Sequence, residues 1–197
     1  MRFIDITDSK KNRYALGENE KAVFFMKNRS GTVEFILGGR GAEAHIFAIF
    51  EGNANEEFSL DILQHHKAPG TASSALVKSL LSDTSSLSYG GLIRIDKGAD
   101  GSDAKQENRN LLLSESASAI SIPSLEILTN DVVCEHASTT GTLSEEAVLY
   151  MKTRGLSQEQ AERLLAYGFR KSLFEEIGRY GTFPELAEYE RDFLIAI

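Results

Sequence analysis

The chain has 197 residues, of which 42% are hydrophobic and 25% charged, as in an ordinary folded protein. Its net charge of −8 argues against a general nucleic-acid binder and against docking on an anionic membrane surface. The single cysteine, Cys134, excludes an internal disulfide and a four-cysteine metal site in one chain, so soft-metal chemistry needs ligands from a second chain.

The sequence carries no membrane or secretion signal. No apolar run approaches the ~20 residues that a transmembrane helix requires. The N-terminal residues 1–13 lack the apolar core of a signal peptide. We therefore expect a cytoplasmic protein.

Residues 1–143 predict strands and turns, because short apolar alternations are separated by Gly, Asn, Asp and Ser. No helical pattern lies between them, which argues against a doubly wound α/β fold. The clearest strands are Thr32–Leu37, Ala44–Phe50, Phe58–Leu63, Ala75–Leu80, Gly91–Ile95, Asn110–Leu113, Leu125–Leu128 and Val132–Cys134.

The spacing of these strands favours a solenoid slightly. From Val77 to Ile93, Leu112 and Ile127, the strand centres recur at roughly 14 to 19 residues, wider than a hairpin meander usually shows. A β-solenoid coil needs about this length, and successive coils stack as parallel strands around a column of Leu, Ile and Val. A sandwich or jelly roll gives a similar sequence signal, so both alternatives stay open on periodicity alone.

Residues 144–197 predict helices. Ser144 caps a first helix whose first turn is acidic and which stops at Gly155, and Ser157 begins a capping box with Gln160. A third helix begins after Thr182 and ends in the apolar residues 193–197. The apolar face of the second helix contains Ala161, Leu164, Leu165, Gly168, Phe169, Leu173 and Ile177. The helices either cap the open solenoid end or dock on a partner.

Three ordered groups of motifs carry a resemblance to a known family. Together they cover about residues 60 to 178, in the order and spacing of the family core. They are His65-His66-Lys67-Ala68-Pro69-Gly70-Thr71; Tyr89-Gly90-Gly91-Leu92-Ile93-Arg94-Ile95 with Gln106–Leu113; and Ile122–Ile127 with Asp131-Val132, His136-Ala137, Arg154-Gly155-Leu156 and Gly168-Phe169. The chain resembles the SufB/SufD family of iron–sulphur cluster assembly scaffolds, although typical members are more than twice as long.

The resemblance implies a mostly β fold, a right-handed parallel β-helix over residues 1–143 followed by C-terminal helices over residues 144–197. It also implies pairing, as a homodimer or as a heterodimer with a SufB or SufD homologue. The helical tails of the family bind the ABC-type ATPase SufC. The assembled complex builds a transient iron–sulphur cluster and passes it to apo-protein acceptors.

Aligned on Pro123, the cysteine that SufB contributes to the cluster site falls at or near Ala117, and the SufD histidine corresponds to His136. Ala137 follows it, where SufB has glutamate, so the pattern is SufD-like. Cys134 shares a strand face with His136, while Glu135 points the other way. We therefore predict Cys134 and His136 as cofactor and metal ligands, completed by a two-fold related chain. The alternative is a core cysteine beside a surface histidine.

Other features predict no second active site. His65 and His66 are adjacent, so their rings diverge and are expected to hydrogen-bond a corner rather than chelate. We expect Gly90, Gly91 and Gly98 to form tight corners with positive φ, and Asn108 and Asn110 to form internal ladders.

No phosphate-binding loop or activated nucleophile is present, so we expect no ATP hydrolysis and no enzyme activity. Asp96, Asp100 and Asp103 leave a carbohydrate-processing solenoid as a further alternative. A structural, self-associating β-helix without a cluster is the principal one.

Overall fold

The computed structural model describes residues 1–194, with side chains described through Arg191. Eleven strands precede three helices in the described part of the chain. The strands are β1 (Arg2–Asp5), β2 (Arg13–Leu16), β3 (Lys21–Lys27), β4 (Gly31–Leu37), β5 (Glu43–Gly52), β6 (Glu57–His66), β7 (Ala72–Leu81), β8 (Ser86–Ile95), β9 (Ser102–Leu112), β10 (Ser118–Ile127) and β11 (Val132–Thr142). The helices are α1 (Glu145–Thr153), α2 (Gln158–Gly178) and α3 (Leu186–Leu194).

The strands form a parallel β-solenoid. Odd-numbered strands build a six-stranded sheet in the order β1-β3-β5-β7-β9-β11, which we call sheet A. Even-numbered strands build a five-stranded sheet, β10-β8-β6-β4-β2, which we call sheet B. The chain therefore alternates between two facing sheets as it winds, and the predicted fold, a parallel β-helix followed by helices, is confirmed.

One coil is longer than the sequence spacing suggested. Ala44 pairs with Ser73, Ser73 with Ala104, and Ala104 with Cys134, so equivalent positions recur at about 30 residues. The predicted interval of 14 to 19 residues is thus half a coil, the step from one sheet to the other. Each coil contains one strand of each sheet.

The N-terminal strands β1, β2 and β3 were not among the clearest strands of the sequence, although they lie within the predicted strand region of residues 1–143. Strand β3 reads Lys-Ala-Val-Phe-Phe-Met-Lys and is buried over Ala22–Met26. Its alternate side chains face the solenoid interior and the outer helices, so Phe24 and Phe25 join different hydrophobic clusters. A strand covered on both faces loses the alternation that identifies a half-buried strand.

The solenoid interior changes from aromatic to polar along its length. Tyr14, Phe24 and Phe35 pack together near the N-terminal end, with the Phe24 and Phe35 ring centroids 4.8 Å apart. Towards the C-terminal end, the buried amides of Asn108 and Asn110 bond to each other. Asn110 also accepts a hydrogen bond from Ser79 and donates one to Thr140; the result is a buried polar cluster spanning neighbouring coils.

The helix boundaries agree with the local sequence signals. Ser144 accepts a hydrogen bond from the amide of Ala147, and Gly155 ends the turn with φ +92°. The Ser157–Gln160 capping box is present in both directions. Residues 195–197 of the predicted third helix lie outside the described residues.

Helices α2 and α3 lie along the outer face of sheet A, and not across its open end. One hydrophobic cluster joins the sheet to these helices. From the sheet it contains Val23, Phe25, Phe47, Ile49, Leu76, Leu80 and Leu111, and from the helices Ala166, Leu173, Phe174, Ile177 and Leu186. No helix within residues 1–194 is long and apolar enough to cross a membrane.

The glycine predictions were partly wrong. Gly98 has φ +89°, as a tight corner requires. Gly90 and Gly91 instead lie inside β8, where Asp61 of the neighbouring β6 and Gln106 of β9 in the facing sheet occupy the space beside them. These two positions favour glycine because a side chain would overlap its neighbours, and not because of the backbone angle.

Candidate functional site

The C-terminal end of the solenoid leaves two sheet edges unpaired within the described chain. Strand β11 pairs only with β9, and β10 pairs only with β8. Large apolar side chains are exposed along both strands and the adjoining loops: Leu113, Ile120, Ile122, Leu125, Ile127, Leu128 and Val133. Unpaired edges with apolar side chains are surfaces on which another chain adds strands.

Both predicted ligands lie on this edge. Cys134 is opposite Ala104 and His136 is opposite Gln106 in the ladder between β11 and β9. Strand β11 continues to Thr142, so Cys134 and His136 share one face at successive positions. Cys134 packs against the small interior cluster of Ile93, Ile95, Ala99 and Ala104, whereas His136 is exposed.

The electrostatics of the two side chains differ. Burial, followed by the negative charges of Asp103 and Glu135, raises the pKa of the Cys134 thiol. The thiol therefore stays protonated at neutral pH until a metal or a positive charge is brought to it. His136 has no hydrogen-bond or ion-pair partner among the described residues.

The described residues of one copy do not complete a metal site. Within residues 1–191, no three or more His, Cys, Asp or Glu side chains are grouped to hold a metal ion. The chain supplies at most the Cys134 and His136 pair at this edge. A four-ligand site there requires donors from elsewhere.

A groove of about 420 Å³ runs beside this edge on the outer face of sheet A. Lys105, Glu107 and Glu135 line it from the strands, and Glu176 and Tyr180 line it from α2 and the turn after it. Tyr180 also stacks on His45, with ring centroids 4.0 Å apart. Sequence reasoning missed this groove because it exists only where α2 crosses the sheet.

Both rings of the histidine pair are engaged in hydrogen bonds. His65 bridges Glu34 and Asp96 through its two ring nitrogens, at 3.3 and 2.9 Å. His66 points the other way and lies 2.8 Å from each of the Thr71 and Ser73 hydroxyls. Burial, and then the neighbouring His65, lowers the pKa of His66 to about 4. The two rings diverge, as predicted; His65 bonds to residues of the two neighbouring coils and His66 to the corner that follows it.

Two acidic residues of the carbohydrate-processing alternative, Asp96 and Asp100, are engaged with other side chains. Arg94 donates a hydrogen bond to Asp96 and lowers the pKa of that carboxyl, which also faces His65. Asp100 accepts a hydrogen bond from Thr129 on the next coil. A general acid needs a raised pKa, so Asp96 is unsuited to that role.

Two positions at which the resemblance places functional SufB side chains are alanines in this chain. Ala117, aligned near the SufB cysteine, is buried in the solenoid interior. Ala137 lines the groove beside His136. Neither side chain binds metal.

A second exposed surface lies on the helices. Helix α1 buries none of its residues, and its Leu149 and Tyr150 are 62% and 58% exposed. Leu164 on α2 is also exposed, at 44%. A hollow between α1 and α2 is lined by Leu143, Val148 and Leu149. We call Leu149, Tyr150 and Leu164 the helical patch; it lies on α1 and α2 and not on the sheet edges, so it offers a second docking surface.

Comparison with known proteins gives matches over most of the chain. The model of the SUF system FeS cluster assembly SufBD core domain matches residues 13–169. A SufBD family iron–sulphur cluster assembly protein of Mycobacterium leprae is 32% identical over 156 residues, which are 75% of this chain and 39% of that protein. SufD of Bacillus subtilis is 30% identical over 148 residues, 75% of this chain and 33% of SufD.

SufB of the same organism is 27% identical over 142 residues, 72% of this chain and 30% of SufB. The matched region thus spans 39% or less of each of these relatives.

Proposed function

This chain belongs to the SufBD family of iron–sulphur cluster assembly proteins, and we propose that it is a scaffold subunit that works with a SufC-type ABC ATPase. The open C-terminal coil carries the proposal, because it combines unpaired strands, exposed apolar side chains and two metal-binding side chains at one edge. The cluster is cargo, assembled at this edge and passed to apo-protein acceptors.

Pairing at the open coil is the first step of the proposal. A second copy, or a longer SufB or SufD homologue, places its own terminal strands against β10 and β11. This contact covers the apolar side chains of β10 and Val133 and satisfies the free backbone groups of the edge strands. A two-fold axis brings the same edge of both chains together.

Ligation is the second step. Two Cys134–His136 pairs supply the four nitrogen and sulphur donors that one chain lacks. Iron binding displaces the thiol proton from Cys134, whose raised pKa otherwise keeps it protonated. Ala137 in place of the SufB glutamate supports a SufD-like role, in which His136 is the principal contribution of this chain.

Attachment of the ATPase is the third step, and the helical patch supports it. Leu149 and Tyr150 are exposed on a helix without buried residues, which is unusual unless a partner covers them. In the proposal, a conformational change of the bound ATPase is transmitted by α2 to the outer face of sheet A.

Capture of a purified SufC-type ATPase by the full chain tests this step. Leu149→Asp is expected to abolish capture, while Glu146→Gln, on the same helix but outside the hollow, preserves it. Equal capture by both variants contradicts docking at the helical patch.

The second candidate function is a self-associating structural β-helix without a cluster. The observation that favours it is Ala117, which offers no ligand where SufB has cysteine. Anaerobic reconstitution with iron and sulphide separates the two functions, because only a scaffold retains iron in a manner that depends on His136.

A further inference from the structure

The outer face of sheet A contains one lysine beneath helix α2. Lys78 lies between Leu76 and Leu80 in the outward-facing row of β7, and it is 1% exposed. Its ammonium donates a hydrogen bond to the carbonyl oxygen of Phe169, 2.9 Å away, and another to the hydroxyl of Ser172. The ammonium also lies 4.6 Å from the centre of the Phe169 ring. All of these partners belong to α2.

None of these partners carries a negative charge. Among the described residues, no carboxylate lies within ion-pairing distance of the Lys78 ammonium. The charged groups around it are Glu107 and Arg109 on β9 and Glu175 and Glu176 on α2. The three glutamates already pair with other cations: Glu107 with Arg109 at 2.6 Å, Glu175 with a lysine at 3.5 Å and Glu176 with an arginine at 2.9 Å.

A second buried cation in the same interface provides the contrast. Arg170 on α2 is also 1% exposed, but it forms an ion pair with Glu51 on β5 and donates to the carbonyl oxygen of Tyr189. A buried charge with a counter-ion holds two elements together, whereas a buried charge without one costs free energy that is recovered on return to water.

We propose that Lys78 makes α2 a releasable element, which we call the latch. The helix is docked by its apolar face over a charge that has no counter-ion among the described residues. Separation of the helix from sheet A therefore rehydrates that charge. The regulatory role of the latch rests on the proposed docking function, in which a partner bound at α1 displaces α2 from sheet A. The latch itself is a property of the chain alone and is tested without a partner.

Protonation of Lys78 supports the same conclusion. Burial, reinforced by Arg109, lowers the pKa of Lys78 from its ordinary 10.5 to about 8. The docked state therefore binds fewer protons than the released state between about pH 8 and pH 10.5. Docking of α2 is weakest below about pH 8, where the charge is present in both states, and it strengthens as the pH rises through this window.

Hydrogen–deuterium exchange over residues 158–178 tests the latch. Lys78→Met keeps an unbranched side chain, one atom shorter, and removes the charge, and Ser172 still donates to the Phe169 carbonyl. One unit of pKa corresponds to a tenfold change in an equilibrium. We therefore expect the α2 amides of Lys78→Met to exchange at least about tenfold more slowly at pH 7 than those of the unaltered chain. Lys171→Met on the exposed side of α2 is the control and should exchange like the unaltered chain.

A pH series on the unaltered chain gives an independent readout. After correction for intrinsic exchange, the opening equilibrium of α2 should fall between pH 7 and pH 9.5, and it should stay constant in Lys78→Met. Exchange in Lys78→Met that equals or exceeds that of the unaltered chain overturns the latch. If Lys78→Met does not fold, the pH series decides alone, and a pH-independent opening equilibrium overturns the proposal.

Discussion

The side chain of Gln106 fills the space beside the Gly91 backbone inside the solenoid. A Cβ atom built on Gly91 overlaps the amide group of Gln106, which is 3% exposed and comes from the facing sheet. Its neighbour Gly90 has the opposite orientation, and a Cβ there meets the exposed carboxylate of Asp61. Gly91 therefore contacts a buried side chain of the interior, whereas Gly90 contacts a surface side chain that can move.

Gly91→Ala should destabilise the chain. The added methyl group overlaps the buried Gln106 amide, so we expect overpacking to cost about 1–3 kcal/mol of unfolding free energy, measured by denaturant titration. Gly90→Ala is the matched control, since Asp61 can rotate into solvent and the expected change is below about 0.5 kcal/mol. Equal effects of the two substitutions would be inconsistent with the interior placement of Gln106.

Acid should destabilise the fold through His66. Its pKa is about 4 in the folded chain and 6.5 in the unfolded chain, so the unfolded state binds more protons as the pH falls below about 6.5. The loss is about 2 kcal/mol at pH 5 and is complete near pH 4. Unfolding titrations at pH 7.5 and pH 5 measure it.

His66→Gln retains hydrogen-bonding capacity toward Thr71 and Ser73 and should lose about that much of the pH dependence. His136→Gln, a substitution on the exposed edge, should keep it. A pH dependence that survives unchanged in His66→Gln assigns the acid sensitivity to other groups.

Glu51→Gln should weaken the attachment of α2. It removes one charged partner of the buried Arg170 guanidinium and also the partner of Lys27, so we expect a loss of about 2–4 kcal/mol. Glu175→Gln breaks an exposed pair on the same helix and should cost less than about 0.5 kcal/mol. Thermal unfolding of both variants checks the difference, and similar losses would place the stabilisation outside the Arg170 ion pair.

Local sequence signals predicted the helices well and the coils less well. Ser144, Gly155 and the Ser157–Gln160 box determine helix ends through contacts within four residues of each other, so the sequence alone suffices. The coil length depends on which strands pair across about 30 residues, and nothing local distinguishes half a coil from a whole one. Burial of β3 on both faces similarly depends on helices more than 130 residues later.

The site was predictable in its residues but not in its surroundings. Cys134 and His136 share a strand face by simple alternation. Nothing in the sequence indicated that Cys134 faces an apolar cluster that raises its pKa, or that α2 forms a groove beside the edge. Lys78 is visible only as one cation in an apolar run, and its significance requires knowing that α2 covers it.

Self-association should depend on the open coil and not on the helical patch. Ile122→Lys combined with Val133→Lys places charges on both edge strands, so the dimer mass measured by analytical ultracentrifugation should fall to that of the monomer. Leu149→Asp should leave the mass unchanged. A double variant that stays dimeric, or a Leu149→Asp monomer, places the interface elsewhere.

The central claim is that paired open coils hold an iron–sulphur cluster through His136. The most direct measurement is the iron and sulphide content of the chain after anaerobic reconstitution and desalting, compared for the unaltered protein, His136→Ala and Ser138→Ala. Ser138 is the next position on the same face of β11, so it controls for changes to the strand. We predict that the unaltered chain and Ser138→Ala retain iron and sulphide while His136→Ala loses most of both. Equal retention of iron and sulphide by all three proteins contradicts ligation by His136, and the absence of both from all three leaves the structural β-helix as the function.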